Sequence, residues 1–136
     1  GRRNRAQRCL RLTGFEFEEY MAQVLRGNGF RHVEVTVECG DQGVDILAVR
    51  GGKTYAIQCK NYAGAVGNTA VQEAYAGAEY YGCDVPAVVC PTMFTASARE
   101  LAESTGVELW DGERLSHMMR VSGRRPHHDP RRDDEL

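Results

Sequence analysis

The sequence predicts an α/β fold: a three-layer α-β-α sandwich around a central mixed sheet of about five strands. Three strand-like segments follow one another in the first half of the chain, which predicts antiparallel pairing. Strand-like and helix-like segments then alternate, which predicts parallel pairing with helices over both faces. The 136 residues, 42% of them hydrophobic and 26% charged, suit a single globular domain.

The first elements are a helix and a half-buried strand. Thr13 followed by Glu16 has the spacing of a capping box, and apolar residues then recur at helical intervals from Phe15 to Gly27. Residues 31–38 alternate valine with polar residues, which predicts a strand with one buried face.

A hairpin follows. Residues 44–49 and 54–59 are rich in β-branched, aromatic and apolar side chains, and Gly51-Gly52 between them is a turn signal. Gly40 and Gly43 permit positive φ just before Asp45.

The second half alternates helices and strands. We expect a helix capped by Thr69 to about residue 81, a strand over 85–90, a helix from Thr95 to 104, a strand over 107–110, and a helix capped by Asp111 to about 119.

Charge separates the ends from the middle. Residues 1–11 carry five arginines and no acid, and residues 120–136 carry five arginines against four acids. Because the whole chain is −2, residues 12–119 carry −8. We therefore expect a basic flexible lead (1–11), a folded domain (12–119) and a disordered polar tail (120–136). An acidic domain argues against tight nucleic-acid binding on its own, unless metal ions offset part of the charge.

The five cysteines suggest a reducing compartment, because their number is odd and no Cys-x-x-Cys pair occurs. Cys59 and Cys90 are interpreted as small apolar strand residues. No apolar run approaches the roughly 20 residues that span a bilayer, so we expect a cytoplasmic location. The basic start without Met leaves open a longer protein, which could carry a membrane tether.

The hairpin gathers the candidate site. Strand side chains alternate faces, so Gln58 and Lys60 share a face and Cys59 points the other way. With Asp45 on the neighbouring strand, a carboxylate, an amide and an ammonium converge at one edge. This set can hold a divalent cation beside a phosphate.

Four segments in this order resemble the Mrr-like restriction endonucleases, a branch of the PD-(D/E)xK nuclease superfamily. They are LTGFEFEE at 12–19, GDQGVDI at 40–46, QCK at 58–60, and FTASARELA at 94–102 followed by ELWDGERL at 108–115. The third is similar to the Gln-x-Lys variant of the family's Glu-x-Lys motif.

The resemblance implies a restriction-endonuclease-like fold and metal-dependent hydrolysis of DNA. By position, Asp45 and Gln58 would bind Mg²⁺ or Mn²⁺, Lys60 would orient or deprotonate the attacking water, and Glu18 would supply an outer carboxylate. A double-strand cut commonly needs two active sites, which favours a homodimer.

Other interpretations stay open. Glu19 could replace Glu18, and Asp41 is either a second ligand or a turn residue. Gln72 is either a nucleic-acid contact or a plain surface residue. The segment His127-His128-Asp129 has weak metal-ligand character. At the level of function, the alternatives are a non-catalytic nucleic-acid-binding module that keeps the nuclease fold and a protein–protein interaction domain.

Overall fold

Five strands form one mixed sheet in the order β1-β2-β3-β4-β5 in the computed structural model, which describes residues 5–36 and 43–131. The β1–β2 and β2–β3 pairs are antiparallel, and the β3–β4 and β4–β5 pairs are parallel. The predicted α/β class with a mixed sheet is confirmed. The strands are β1 (Arg31–Val35), β2 (Ile46–Arg50), β3 (Lys53–Cys59), β4 (Val85–Val89) and β5 (Glu108–Trp110); the helices are a 3₁₀ helix (Arg5–Arg11), α1 (Gly14–Arg26), α2 (Asn68–Tyr81), α3 (Ala96–Thr105) and α4 (Gly112–Ser122).

Helices cover both faces of the sheet. Ile57 on β3 and Val89 on β4 are buried in one core with residues of the 3₁₀ helix, α1 and α4. Val88, the next residue to Val89, lies in a second core with residues of α2 and α3. This alternation along β4 produces the three layers, since successive strand side chains point to opposite faces.

Local signals set most boundaries. Thr13 and Glu16 form the predicted capping box, with the Glu16 amide donating to Thr13 Oγ1 over 3.1 Å and the Thr13 amide to Glu16 Oε1 over 2.9 Å. Gly51 and Gly52 turn the β2–β3 hairpin with φ of 60° and 76°. That left-handed conformation suits glycine because it lacks a Cβ atom.

The start of α2 differs from the prediction. Gly67, and not Thr69, is the N-cap, and no side chain caps the helix. Val66 forms a parallel bridge with Phe94, so the chain stays extended up to Gly67 and the helix begins directly afterwards. Thr69 therefore lies inside the first turn.

The N-terminal segment departs from the expected flexible lead. Residues 5–11 form a 3₁₀ helix in which Ala6 and Cys9 are completely buried. The period of three residues explains the difference, because a 3₁₀ helix aligns residues i and i+3. Ala6, Cys9 and Leu12 therefore form one buried row beneath α1 and α4.

The C-terminal segment also departs from the expected disordered tail. Helix α4 continues to Ser122, and residues 124–131, hereafter the C-terminal strap, lie against α1. The Tyr20 hydroxyl donates to the Arg124 carbonyl over 2.8 Å, and the Asp129 amide donates to Glu16 Oε2 over 2.9 Å. The strap lacks an apolar core of its own and is held instead by these polar contacts with α1.

Within residues 5–36 and 43–131, no helix is both long enough and apolar enough to span a bilayer.

Candidate active site

Asp45 lies where β2 begins, and the backbone of β3 fixes its carboxylate. The Asp45 amide donates to the Ile57 carbonyl, and Asp45 Oδ2 accepts a 2.7 Å hydrogen bond from the Cys59 amide. Gly43 precedes it with φ of +68°. A Cβ atom at Gly43 would stand 3.0 Å from the Glu73 Cβ atom, so glycine lets α2 approach this end of the sheet.

Gln58, near the end of β3, is a buried polar residue that is only 3% exposed. Its Nε2 donates to Glu73 Oε1 over 3.0 Å. Its Oε1 is buried and has no hydrogen-bond partner among the described residues. A buried acceptor without a donor costs about 1–3 kcal/mol of folding free energy. This oxygen is therefore well suited to bind a partner such as a cation.

Lys60 follows β3, and its amide donates to the Val89 carbonyl on β4. Its Nζ lies 3.5 Å from Glu73 Oε1 and 5.5 Å from the centroid of the Tyr62 ring. Gln58 and Lys60 thus share Glu73 as a partner, as expected for two residues on one face. Cys59 packs into the opposite core with α1.

Glu18 on α1 completes the group from the other side of the sheet. Burial, the charge of Asp45 and a hydrogen bond with Asp45 raise the pKa of Glu18 to about 7. Burial also raises the pKa of Asp45, although the Cys59 amide and Lys60 oppose that rise. Both carboxyl groups therefore bind a proton more tightly than free carboxyl groups do, and a bound cation would displace that proton.

The donor set fits a hard divalent cation. Asp45 and Glu18 offer carboxylate oxygens, and Gln58 offers an unpaired amide oxygen. Burial and the nearby Asp45 and Glu18 raise the pKa of the Cys59 thiol, which argues against a thiolate ligand. No cluster of three or more His, Cys, Asp or Glu side chains suited to a metal occurs in the described residues. The candidate set differs because one member is an amide, and Mg²⁺ usually keeps several waters beside few protein ligands.

The structure places the predicted residues unequally. Glu18, Asp45, Gln58 and Lys60 lie together at one end of the sheet. Gln72 is exposed on α2 and makes no described contact with this group.

The remaining candidates lie elsewhere. Glu19 is exposed. His128 instead binds Glu16, with its Nδ1 2.7 Å from Glu16 Oε1. Asp41 falls outside the described residues.

Glu73 is the site residue that the sequence did not reveal. It is adjacent to Gln72 in the helix, and only the rotation of α2 decides which of the two faces Lys60. Its carboxylate binds both Gln58 and Lys60 and adds a repulsive charge near Asp45. The sequence offers only a weak signal for it, namely that Glu73 lies one helical turn after Ala70, which is buried on α2.

The fold and this cluster define a chain with the restriction-endonuclease architecture. The family model for the Mrr-type catalytic domain, described as a restriction endonuclease, matches residues 9–119. The chain belongs to this family.

Two solved structures have a similar fold. A protein of unknown function, AF1548, is 24% identical, with a TM-score of 0.72 over 90% of this chain and 76% of that one. The DNA modification-dependent restriction endonuclease AspBHI is 19% identical, with a TM-score of 0.63 over 82% of this chain and 32% of that one. No curated protein matches the sequence.

Proposed function

We propose that this chain is a metal-dependent endonuclease domain that hydrolyses DNA phosphodiester bonds, in restriction or in the processing of unusual DNA. The observation that carries the proposal is the buried Gln58 Oε1 without a partner among the described residues, on a side chain whose amide is held by Glu73. Glu73 in turn acts electrostatically on Asp45 of the Glu18–Asp45 carboxyl pair. Such a set of oxygens suits Mg²⁺, or Mn²⁺ in its place.

Each residue has a distinct role in this proposal. Asp45 and Gln58 hold the cation, and Lys60 orients the attacking water and offsets negative charge on the phosphate. Glu18 receives a proton as an outer carboxylate. When bound, the cation polarises the phosphoryl oxygen and makes the attacking water more acidic.

Glu73 acts through its neighbours in this proposal. By accepting from Gln58 Nε2 it turns Oε1 away from itself, and it holds Lys60 Nζ at 3.5 Å. It is therefore a positioning residue that fixes the amide rotamer and the ammonium together.

The test is incubation of the purified protein with supercoiled plasmid in Mg²⁺, in Mn²⁺ or in EDTA. The proposal expects nicked or linear DNA with either cation and intact plasmid in EDTA. Cleavage that persists in EDTA, or none with either cation, would contradict it.

The alternative is a nucleic-acid-binding module without catalysis. One observation favours it, namely the −8 charge of residues 12–119, which opposes close approach of a scissile phosphate. Such a module would bind DNA and leave the plasmid intact under all three conditions. For either function we propose DNA as the partner and a cytoplasmic location, and a homodimer for a double-strand cut.

A further inference from the structure

The 3₁₀ helix presents a row of arginines. A 3₁₀ helix has three residues per turn and rises about 2 Å per residue, so residues spaced by three stand about 6 Å apart in a line. Its buried row faces the core, as described above. A second row with the same spacing of three residues is exposed and consists of Arg5, Arg8 and Arg11.

This row borders a cavity of about 350 Å³ between the 3₁₀ helix and the C-terminal strap. Among the described residues, the lining contains no carboxylate. Its polar lining consists of Arg8, Arg11, Arg125, His127 and His128.

The wall formed by the strap is anchored. His128 binds Glu16 with a 2.7 Å separation, and the Arg124 carbonyl accepts from Tyr20. None of the salt bridges within residues 5–36 and 43–131 engages Arg8, Arg11 or Arg125. Their charges are therefore available to an external anion.

Asn61 connects this cavity to the candidate active site. It directly follows Lys60, and its Nδ2 donates to the carbonyls of Cys9 and Leu12 over 2.9 and 3.0 Å. Leu12 also lines the cavity. The Arg11 end of the row is thus fixed beside the strand end that carries Lys60.

We propose that the arginine row and its cavity bind backbone phosphates of the DNA strand next to the phosphate that is cleaved. The assignment of that strand rests on the proposed nuclease function. Guanidinium groups bind phosphate oxygens through paired hydrogen bonds, and such contacts fix the register of the duplex without reading sequence. The site also explains how an acidic domain can approach DNA, because the positive charge is concentrated beside the catalytic edge.

The test is the salt dependence of binding to a DNA duplex in EDTA, where cleavage does not interfere. Each lost phosphate contact reduces the slope of log K against log salt by about 0.9. The double variant Arg8→Gln/Arg11→Gln should therefore lower the slope by about 1.8, and Arg125→Gln by about 0.9.

The matched control is Arg31→Gln/Lys53→Gln. It removes the same charge from exposed residues at the opposite end of the sheet, where Arg31 pairs with Val49 and Lys53 with Arg50. We expect this control to keep the wild-type slope, and all variants to melt at the wild-type temperature because the changed side chains are exposed.

An unchanged slope in both the Arg8/Arg11 and Arg125 variants would overturn the inference. So would an equal decrease in the control, since that would indicate general electrostatic attraction. If the wild type cuts no DNA but the Arg8/Arg11 variant selectively loses slope, the phosphate site stands and the nuclease proposal fails.

Discussion

At the scale of single residues, Gln58 tests direct metal ligation. Gln58→Glu replaces an amide that donates to Glu73 with a carboxylate that repels it. Without metal the variant should therefore melt lower than wild type, by about 4 °C for each kcal/mol lost. Added Mn²⁺ should raise its melting temperature more than that of wild type, because a second carboxylate strengthens binding of a hard cation.

The control for this substitution is Gln72→Glu, the same chemical change at the adjacent exposed position. It should melt like the wild type with and without Mn²⁺. If millimolar Mn²⁺ changes the melting temperature of neither wild type nor Gln58→Glu, residue 58 is not a ligand. The non-catalytic nucleic-acid-binding module is then the better supported function.

Glu73→Ala tests the positioning role. It leaves the buried Gln58 amide without its acceptor, which costs about 1–3 kcal/mol of stability, and it frees the Lys60 ammonium. We expect a lower melting temperature and weaker plasmid cleavage, with Glu73→Gln recovering much of the stability and less of the cleavage. Cleavage equal to wild type in Glu73→Ala, beside a Gln72→Ala control, would exclude the role.

The residues of the site differ in how far the sequence could reveal them. Asp45, Gln58 and Lys60 follow from strand alternation and a short hairpin, which leave little geometric freedom. Glu73 depends on how α2 rotates against β3, and that rotation is set by packing of Val71 and Ala74 rather than by a local motif. The unpaired state of Gln58 Oε1 depends on the same packing.

At the scale of elements, the 3₁₀ helix should be part of the folded domain. Its Ala6 and Cys9 are fully buried, and the Cys9 carbonyl accepts from Asn61. Removing residues 1–11 should therefore lower the melting temperature by several degrees, since it exposes buried core residues and removes one of the two carbonyl acceptors of Asn61 Nδ2. If residues 1–11 were instead a flexible segment, their removal would leave the melting temperature unchanged.

This truncation consequently cannot test charge alone. The Arg8→Gln/Arg11→Gln variant separates the two effects, because it keeps the buried row and removes only exposed charge. The period of three in residues 5–12 is visible in the sequence, but a run of arginines is more often a solvated segment, and only the partner surfaces on α1 and α4 distinguish the two cases.

The contacts between the strap and Glu16 should make the stability of the fold decrease in acid. Although burial alone would raise it, hydrogen bonds from the Asp129 amide, from His128 and from the Thr13 amide lower the pKa of Glu16 to about 2, from 4.5. A lowered carboxyl pKa stabilises the fold above the unfolded value, and this contribution is lost as the pH falls from about 4.5 to about 2.

Melting temperature followed over that pH range should thus decline more steeply for wild type than for Glu16→Gln. Glu103→Gln, an exposed position on α3, serves as the control and should follow wild type. Identical pH profiles for wild type and Glu16→Gln would mean that the strap does not hold Glu16 in solution.

At the scale of the whole molecule, the acidic middle of the chain is flanked by segments that carry positive charge. Residues 12–119 carry −8, while the 3₁₀ helix and the strap contribute arginines that line one shared cavity. The strand order and pairing were predictable, since a meander followed by strand–helix alternation leaves few topologies. The placement of the 3₁₀ helix and the strap was not predictable, because it depends on long-range contacts such as Tyr20 with Arg124.

The division of the chain at residues 12 and 119 stays a prediction. The family match over residues 9–119 includes only residues 9–11 of the 3₁₀ helix and stops before the strap. The structure nevertheless packs the 3₁₀ helix on α4 and the strap on α1, so the folded unit within the described residues extends beyond the matched range.

The most direct measurement compares plasmid nicking by wild type and Asp45→Asn in Mg²⁺, with melting as a check on folding. Asparagine keeps an oxygen that can accept from the Cys59 amide but removes the charge that would bind the cation. We expect a loss on the order of 100-fold or more, with a similar loss in Lys60→Ala and no further large loss in the double variant, because both groups would act on one transition state. Equal nicking by wild type and a folded Asp45→Asn would contradict the proposed role of Asp45 in metal-dependent cleavage.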